Sequence, residues 1–278
     1  MNSHILLIDC PDQTGLVYHI TGALYRHGYN IVANSEFVDR ASGQFFMRTV
    51  FAGERAPHPV LDALRAALPP AATLRLAQPG AKRVVVLATR EHHCLGDLLI
   101  RHAYGELSAQ IVAVIANHAT LGPLVRRFDL PFHHVPHQAL SREQHEAQVL
   151  ALVAGYAPDY LVLAKYMRVL TPAFVARYSG RIVNIHHSFL PAFVGASPYK
   201  QAFERGVKII GATAHLVSDT LDEGPIIAQG VIPVDHTQSA ADMAQAGRDV
   251  EKTVLARALR LVFEEHVFVS GNKTIILD

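Results

Sequence analysis

RVVVLAT, at residues 83–89, is a continuous apolar run rich in β-branched side chains. A strand of this kind is buried on both faces, as in a parallel sheet covered by helices. Toward the C-terminus, helix-like and strand-like stretches alternate. Residues 95–103 have helical spacing, QIVAVIAN at 110–117 is a strand, 121–128 a helix, and PFHHVP at 131–136 a short strand. Ser141 opens a helix over 141–156, with Glu143 and Gln144 in its first turn. YLVLA at 160–164 is the next strand, Pro172 starts a helix over 171–178, and RIVNI at 181–185 is a further strand. Successive βαβ units of this kind specify an α/β fold with a doubly wound, mainly parallel sheet. KIIGATAHLV at 208–217 and IIAQGVIPV at 226–234 then read as paired strands flanking a loop at 219–224. Residues 240–266 are amphipathic, with Met243, Ala246, Val250, Val254, Ala258 and Leu261 on the core-facing stripe. VFVSGNKTIIL at 267–277 closes as a hairpin over Gly271 and Asn272.

The first eighty residues have another character. HILLIDC at 4–10 is a strand, and a turn at Pro11, Asp12 and Gln13 leads through Thr14, a plausible N-cap, into a helix carrying Leu16, Ile20, Leu24 and Tyr25. Gly28 ends that helix. NIVANSEFVDR and QFFMRTVFA are strands joined over Ala41, Ser42 and Gly43; residues 59–68 form a second helix and ATLRLA a last strand. The order βαββαβ gives an antiparallel, ferredoxin-like sheet with two helices on one face. Ala77-Gln78-Pro79-Gly80 is a natural linker, so two domains are expected, 1–80 and 81–278.

The chain has 278 residues, 50% hydrophobic and 18% charged, which suits a globular protein with a sizeable core. A net charge of +1 favours neither nucleic acid nor an anionic membrane as partner. No stretch approaches the roughly 20 uncharged apolar residues of a membrane span. MNSHILLIDCPD lacks a basic n-region and reads as a strand, not a signal peptide. Two cysteines, Cys10 and Cys94, are too few for a disulfide framework, so a reduced, cytoplasmic setting is expected; Cys94 reads as a small buried residue, with a reactive thiol as the alternative. HHVPH at 133–137 is the densest part of a set of 17 histidines, but no HExxH or Cys-x-x-Cys accompanies it, and no metal is expected. No Walker loop or GxGxxG is present, so neither ATP nor a dinucleotide is expected.

Three residues carry the candidate chemistry. Asn184 and His186 are two apart at the end of a parallel strand, on one face if the strand persists, and ligands in open α/β sheets bind off the carboxyl ends of strands. Asp222 lies in SDTLDEGP, between two apolar strands. A carboxamide, an imidazole and a carboxylate can supply an oxyanion donor, a proton-transfer group and an acid that orients or charges it. On spacing alone Asn-x-His also suits a polar strand end, and Asp222 a turn former. His187 is expected to face away, as a structural residue. Ser188, Pro191 and Gly195 shape the following loop, and Ser188 either lines the site or serves the turn.

HHSFLPAFVGASPYKQA followed by GATAHLVSDTLDEGPIIAQ is similar to the paired signatures of the 10-formyltetrahydrofolate-using formyltransferase and hydrolase superfamily. The resemblance implies that Asn184, His186 and Asp222 are its catalytic trio. AKYMRVLTP at 164–172 resembles its folate-contacting loop, which implies Met167, Arg168, Val169 and Leu170 as pterin contacts; Leu170 also suits the core. Arg142 would meet the folate's glutamate carboxylates, though it equally suits a solvated first turn. The front end, with DQTGL at 12–16, resembles an ACT domain, a family that binds small effectors, often amino acids, or pairs with a second copy. Asp12, Gln13 and Gly15 are the implied effector residues; a dimerisation module without ligand is the alternative.

Glycinamide ribonucleotide formyltransferases carry a Gly-Ser-rich, phosphate-cradling loop after the first strand. ATREHHCLGDLL stands there instead, with Glu91 and Asp97 anionic, Gly96 alone remaining, and His92 and His93 as polar wall groups. An ACT-like front joined to this catalytic domain resembles the formyltetrahydrofolate deformylase family. That implies hydrolysis of 10-formyltetrahydrofolate to tetrahydrofolate and formate, in support of one-carbon metabolism and purine biosynthesis, with no cofactor beyond the folate. It also implies a homo-oligomer, by resemblance a homotetramer. The alternatives are a formyltransferase with an unphosphorylated amine acceptor and a folate-binding protein that has lost activity.

Overall fold

The apolar run at 83–89 forms an interior strand of the larger sheet, over Lys82–Ala88, and the reason lies in its composition. Val84, Val85, Val86, Leu87 and Ala88 are all fully buried, with neighbouring strands on both sides. The computed structural model describes residues 2–191 and 198–278. Gly195 lies outside the described residues.

The chain divides into two compact units. One comprises Met1–Gly80 with Glu264–Phe268 and Ile275–Asp278; the other comprises Ala81–Phe263 and Val269–Thr274.

In the first unit the elements are β1 (Asn2–Pro11), α1 (Leu16–Arg26), β2 (Asn30–Asp39), β3 (Gln44–Gly53), α2 (His58–Ala67) and β4 (Thr73–Ala77). The sheet order is β2-β3-β1-β4, antiparallel throughout. The period-two alternation of a strand splits β1 between two cores. Leu6, Ile8 and Cys10 pack with Leu16, Ile20 and Leu24 of α1 and Val60 and Leu64 of α2. Ile5 and Leu7 face the opposite way, against Phe46, Phe268 and Leu277. Arg48 fixes the Glu264–Phe268 segment by donating to the carbonyls of Glu264 and Glu265, and Arg75 pairs with the Glu265 carboxylate. Thr14 does not cap α1: Gly15 holds the cap position in the left-handed region at φ 92°, with no side-chain cap bond.

The second unit contains β5 (Lys82–Ala88), α3 (His93–Ala103), β6 (Ala109–Ala116), a single 3-10 turn at Ala119–Leu121, α4 (Gly122–Arg126), β7 (Phe132–His134), α5 (Arg142–Tyr156), β8 (Tyr160–Ala164), α6 (Pro172–Arg177), β9 (Ile182–His186), α7 (Pro198–Arg205), β10 (Ile209–Leu216), β11 (Ile226–Pro233) and α8 (Ala240–Phe263). The chain ends in a two-stranded sheet of β12 (Val267–Ser270) and β13 (Lys273–Ile276). The helix expected at 121–128 is shorter, spanning Gly122–Arg126 with Pro123 in its first turn. The seven-stranded order is β11-β10-β9-β8-β5-β6-β7. Strands β9, β8, β5, β6 and β7 are parallel, and β10 and β11 extend the sheet antiparallel beyond β9. The chain reverses direction of travel at β5, so the carboxyl ends of β5, β8 and β9 flank the crevice where such sheets bind ligands.

Ser141 and Gln144 close a reciprocal capping box at the start of α5, and Thr171 caps α6. The buried side of α8 runs through Met243, Gly247, Glu251, Val254, Leu255 and Ala258. Ala246 and Val250, expected on that stripe, are only half-buried. A carboxylate takes a place in the stripe. Among the described residues no helix is long and apolar enough to cross a membrane.

Candidate active site

The site stands where β8 and β9 end. Asn184 and His186 close β9, and antiparallel pairing sets His215 of β10 opposite Asn184 and Thr213 opposite His186. This register decides the local chemistry. His215 Nδ1 lies 2.9 Å from the Leu216 carbonyl, so that nitrogen carries the proton and donates. Nε2 then has a lone pair, and the Asn184 amide Nδ2, 3.1 Å away, donates to it. The contact assigns the ends of the Asn184 carboxamide and leaves its second N–H without an acceptor among the described residues. Burial holds the His215 imidazole below its ordinary range, and the Leu216 carbonyl and Asp222 only partly offset this. It is therefore neutral, as the tautomer requires.

Asp222 arrives from the loop between β10 and β11. That loop closes tightly: the Leu216 N–H donates to the Pro225 carbonyl at 2.9 Å. A side chain on Gly224 would overlap the Leu216 carbonyl oxygen, so only glycine permits the approach. Asp222 itself has a left-handed backbone at φ 58°. This conformation costs roughly 1–2 kcal/mol for a residue with a Cβ. The outcome is a carboxylate 3.2 Å from His186 Nδ1 and 3.8 Å from His215 Nε2. Burial pushes the Asp222 carboxyl up, but the His186 hydrogen bond and the neighbouring imidazoles outweigh it and hold the group below its usual value. With Nδ1 turned to Asp222, His186 Nε2 is buried without a hydrogen-bond partner among the described residues.

The segment after β8 forms the other wall. Thr89, just beyond β5, accepts the Met167 N–H at 2.9 Å. Glu146 of α5 accepts the Thr171 N–H at 2.8 Å and also the Thr171 hydroxyl. Residues 167–170 are thus pinned at both ends, while Met167 and Val169 leave their apolar side chains exposed. Together with Asn184, His186, His187, His215 and the 217–222 loop they line a cavity of about 260 Å³. Apolar walls with a few convergent polar groups are the usual make-up of a small-molecule site.

The cavity therefore gathers Asn184, His186, Asp222, Met167, Arg168, Val169 and Leu170. Leu170 also packs on the core of the sheet. Two expectations, for Ser188 and His187, need correction. Ser188 does not line the cavity: the chain bends after His186, and Ser188 is buried with its carbonyl accepting the Thr213 hydroxyl. Arg142 is exposed in the first turn of α5 and is not among the lining residues. His187 does not turn away, because strand alternation ends at His186; it borders the cavity too, and burial with the Lys165 charge pushes its imidazole down to about 4. In the first unit, Asp12, Gln13 and Gly15 lie on the turn before α1. The depression in that unit is lined instead by Tyr18, Tyr25, Tyr29 and Asn30.

Sequence reasoning missed His215, Glu146, Thr89 and a buried group behind the cavity. Glu251 of α8 accepts from His93 Nε2 at 2.7 Å and from the Tyr199 hydroxyl at 2.6 Å, and pairs with Lys165 Nζ at 3.2 Å. A histidine inside an apolar strand, and carboxylates on buried helix stripes, were the available signals. His93, Cys94 and Glu251 bring metal-ligating atoms within 4.8 Å of one another. Lys165 already supplies the positive charge there, and burial pushes the Cys94 thiol far up, away from the thiolate a metal needs. In the HHVPH cluster, His133 bonds the Tyr156 hydroxyl at 2.7 Å and His137 the Asn117 amide at 3.3 Å.

Comparison with known proteins agrees with this architecture. The Formyl transferase family matches residues 82–259, and the ACT domain family matches residues 4–69. The chain is 58% identical over 273 residues to the formyltetrahydrofolate deformylase of Escherichia coli O6:H1, covering 98% of each. It is 54% identical over 273 residues to that of Haemophilus influenzae, again covering 98% of each. The crystal structure of a formyltetrahydrofolate deformylase from Pseudomonas syringae superposes with a TM-score of 0.95 at 42% identity, covering all of this chain and 95% of the other. A glycinamide ribonucleotide transformylase from Symbiobacterium toebii matches with a TM-score of 0.69 at 31% identity, over 71% of this chain and 95% of that one. An ACT unit followed by a formyltransferase fold, matched end to end at this identity, makes the chain a member of the formyltetrahydrofolate deformylase family of hydrolases.

Proposed function

We propose that the protein hydrolyses 10-formyltetrahydrofolate to tetrahydrofolate and formate, with Asn184, His186 and Asp222 as the catalytic groups. The observation that carries this reading is the His186 imidazole. Its Nδ1 is committed to Asp222, and its Nε2 is buried and unpartnered among the described residues, on a side chain that lines the cavity beside Asn184. In the reaction, Asn184 donates its second amide N–H to the formyl oxygen as charge develops there. One preorganised donor of this kind is worth about 3–4 kcal/mol. Asp222 stays ionised and holds Nδ1–H, which leaves the Nε2 lone pair to take a proton from the attacking water. Oxygen bonds to the formyl carbon, and collapse of the adduct breaks the C–N10 bond, whose electron pair returns to N10. The imidazolium then delivers its proton to N10, and the formic acid so formed gives its remaining acidic proton to solvent and leaves as formate.

Met167, Arg168, Val169 and Leu170 form the wall against which a flat pterin packs. Arg142 and Ser188 stand outside the lining set and have no assigned part in this scheme. Formate released here would supply a purine pathway that consumes it, in the cytoplasm. The first unit would serve self-association, to a homotetramer, and the capture of an amino-acid effector. Purified protein incubated with 10-formyltetrahydrofolate and no amine should release formate and tetrahydrofolate in equal amounts. Turnover that begins only when an amine is added would replace the hydrolase reading with an amine formyltransferase.

A further inference from the structure

A buried ionic group in the second unit, with three partners, takes no part in the proposed hydrolysis. Glu251, with a side chain 1% exposed, receives donors from three separate elements: His93 from α3, Tyr199 from α7 and Lys165 from the segment after β8. Burial alone would push the Glu251 carboxyl up, but these donors reverse that and hold it down to about 2. Lys165 is itself 3% exposed and adopts a left-handed backbone at φ 59°, where glycine would be the unstrained choice. On α8, a side chain at Gly247 would overlap the Tyr199 ring, so a glycine one turn before Glu251 lets the tyrosine reach it. Four positions thus bear constraints that serve one buried carboxylate.

The location of the group indicates its use. Lys165 and His187 border the cavity that holds Asn184, His186 and Asp222. His93 borders a second cleft, lined by Glu91, His92, Asp97, Gln245 and Arg248 between α3 and α8. Among the described residues, the chain of contacts from His93 through Glu251 to Lys165 thus runs from the lining of one cavity to that of the other. It is closed by hydrogen bonds and is charge-neutral as a lysine–glutamate pair. An acceptor larger than water that came from the outer cleft would meet this wall before reaching the formyl carbon.

We propose that Lys165, held by Glu251, His93 and Tyr199, is the specificity determinant that confines the formyl acceptor to water. The inference rests on the hydrolase reading and adds the group that excludes amines. In hydrolysis the C–N10 bond breaks as a C–O bond to water forms. In the excluded reaction a C–N bond to the amine would form, and the amine proton would end on N10.

The test is partition. The full chain is incubated with 10-formyltetrahydrofolate and glycinamide at pH 8, and formate and N-formylglycinamide are quantified against an enzyme-free blank. Wild type should yield formate alone. Lys165→Gly removes the side chain and relaxes the left-handed backbone, and it should raise the N-formylglycinamide share at least tenfold over the blank. A folded Lys165→Gly protein that yields only formate, or neither product, overturns the proposal. His93→Gly opens the same wall from the outer side and carries the same expectation if Lys165→Gly does not fold. If neither variant folds, the network is a structural tie and the proposal falls. Wild type that releases no formate would instead refute the hydrolase reading, before any variant is made.

Discussion

The Asn184 carboxamide donates to His215 Nε2 at 3.1 Å, across a pair that the β9–β10 register sets directly opposite each other. The histidine is a positioning residue: it assigns the amide and so aims the remaining N–H. Replacing His215 with Ala frees the carboxamide to rotate and leaves its donor unaimed. We expect kcat to fall about a hundredfold, the lower end of what one lost oxyanion donor costs, with KM nearly unchanged. A rise in KM with kcat preserved would mean that His215 serves binding instead.

His186 and Asp222 act as one unit in this geometry, joined at 3.2 Å. His186→Ala and Asp222→Asn should each lower kcat by about 10²–10⁴, the usual span for general acid–base groups. The double variant should be no slower than the slower single one, since losses within a unit do not add. Steady-state rates that multiply instead would show independent roles.

Gly224 tolerates no side chain, because a Cβ there would overlap the Leu216 carbonyl oxygen. Gly224→Ala should open the 217–224 loop and carry Asp222 away from His186. The expected loss in kcat matches that of Asp222→Asn, while the unfolding temperature falls by only a few degrees. An unchanged rate would show that the loop can absorb the methyl elsewhere.

Glu146 receives both donors of Thr171 and holds the distal end of the 167–170 wall. Glu146→Ala leaves those donors without their acceptor and loosens the wall. KM for the folate should rise about tenfold while kcat changes less than threefold, as for lost ground-state contacts. A kcat effect larger than the KM effect would place the wall in the chemical step.

Glu251 links stability to pH. Its carboxyl is held down to about 2 from an ordinary 4.5, because its donors outweigh its burial. A depressed carboxyl stabilises the fold fully above its unfolded value, and the contribution is lost as pH falls through the folded one. Glu251→Gln should cost about 3–5 kcal/mol near neutrality, the usual effect of breaking a buried pair. The difference in unfolding temperature between wild type and Glu251→Gln should hold constant above pH 4.5 and narrow below it toward pH 2. A gap independent of pH would mean that the carboxylate charge is not what stabilises.

The parts of this structure that sequence could reveal are those governed by local physics. The apolar run at 83–89, the exact span of β8, the capping box at Ser141 and the paired strands around Asp222 follow from composition and period over a few residues. Asn184 and His186 could be read because both lie on one strand end. His215 could not, because its role depends on a register between two strands 31 positions apart. Glu251 was hidden for a similar reason. On α8 it looks like one charge among several, and only partners from 52 to 158 positions away explain its burial. The misplaced Thr14 cap shows the converse limit. A capping residue type was present, but Gly15 took the left-handed position and the side chain was not needed.

The two halves of the catalytic group are anchored unequally. Asn184, His186 and His215 ride on strands held in the sheet, whereas Asp222 rides on a loop fastened chiefly at its ends by the Leu216–Pro225 hydrogen bond. Local opening of such a loop requires far less free energy than opening the sheet beneath it. On warming, activity should therefore fade before the protein melts. Amide exchange at 218–223 should track that fading, while exchange at 183–186 and 212–215 reports only global unfolding.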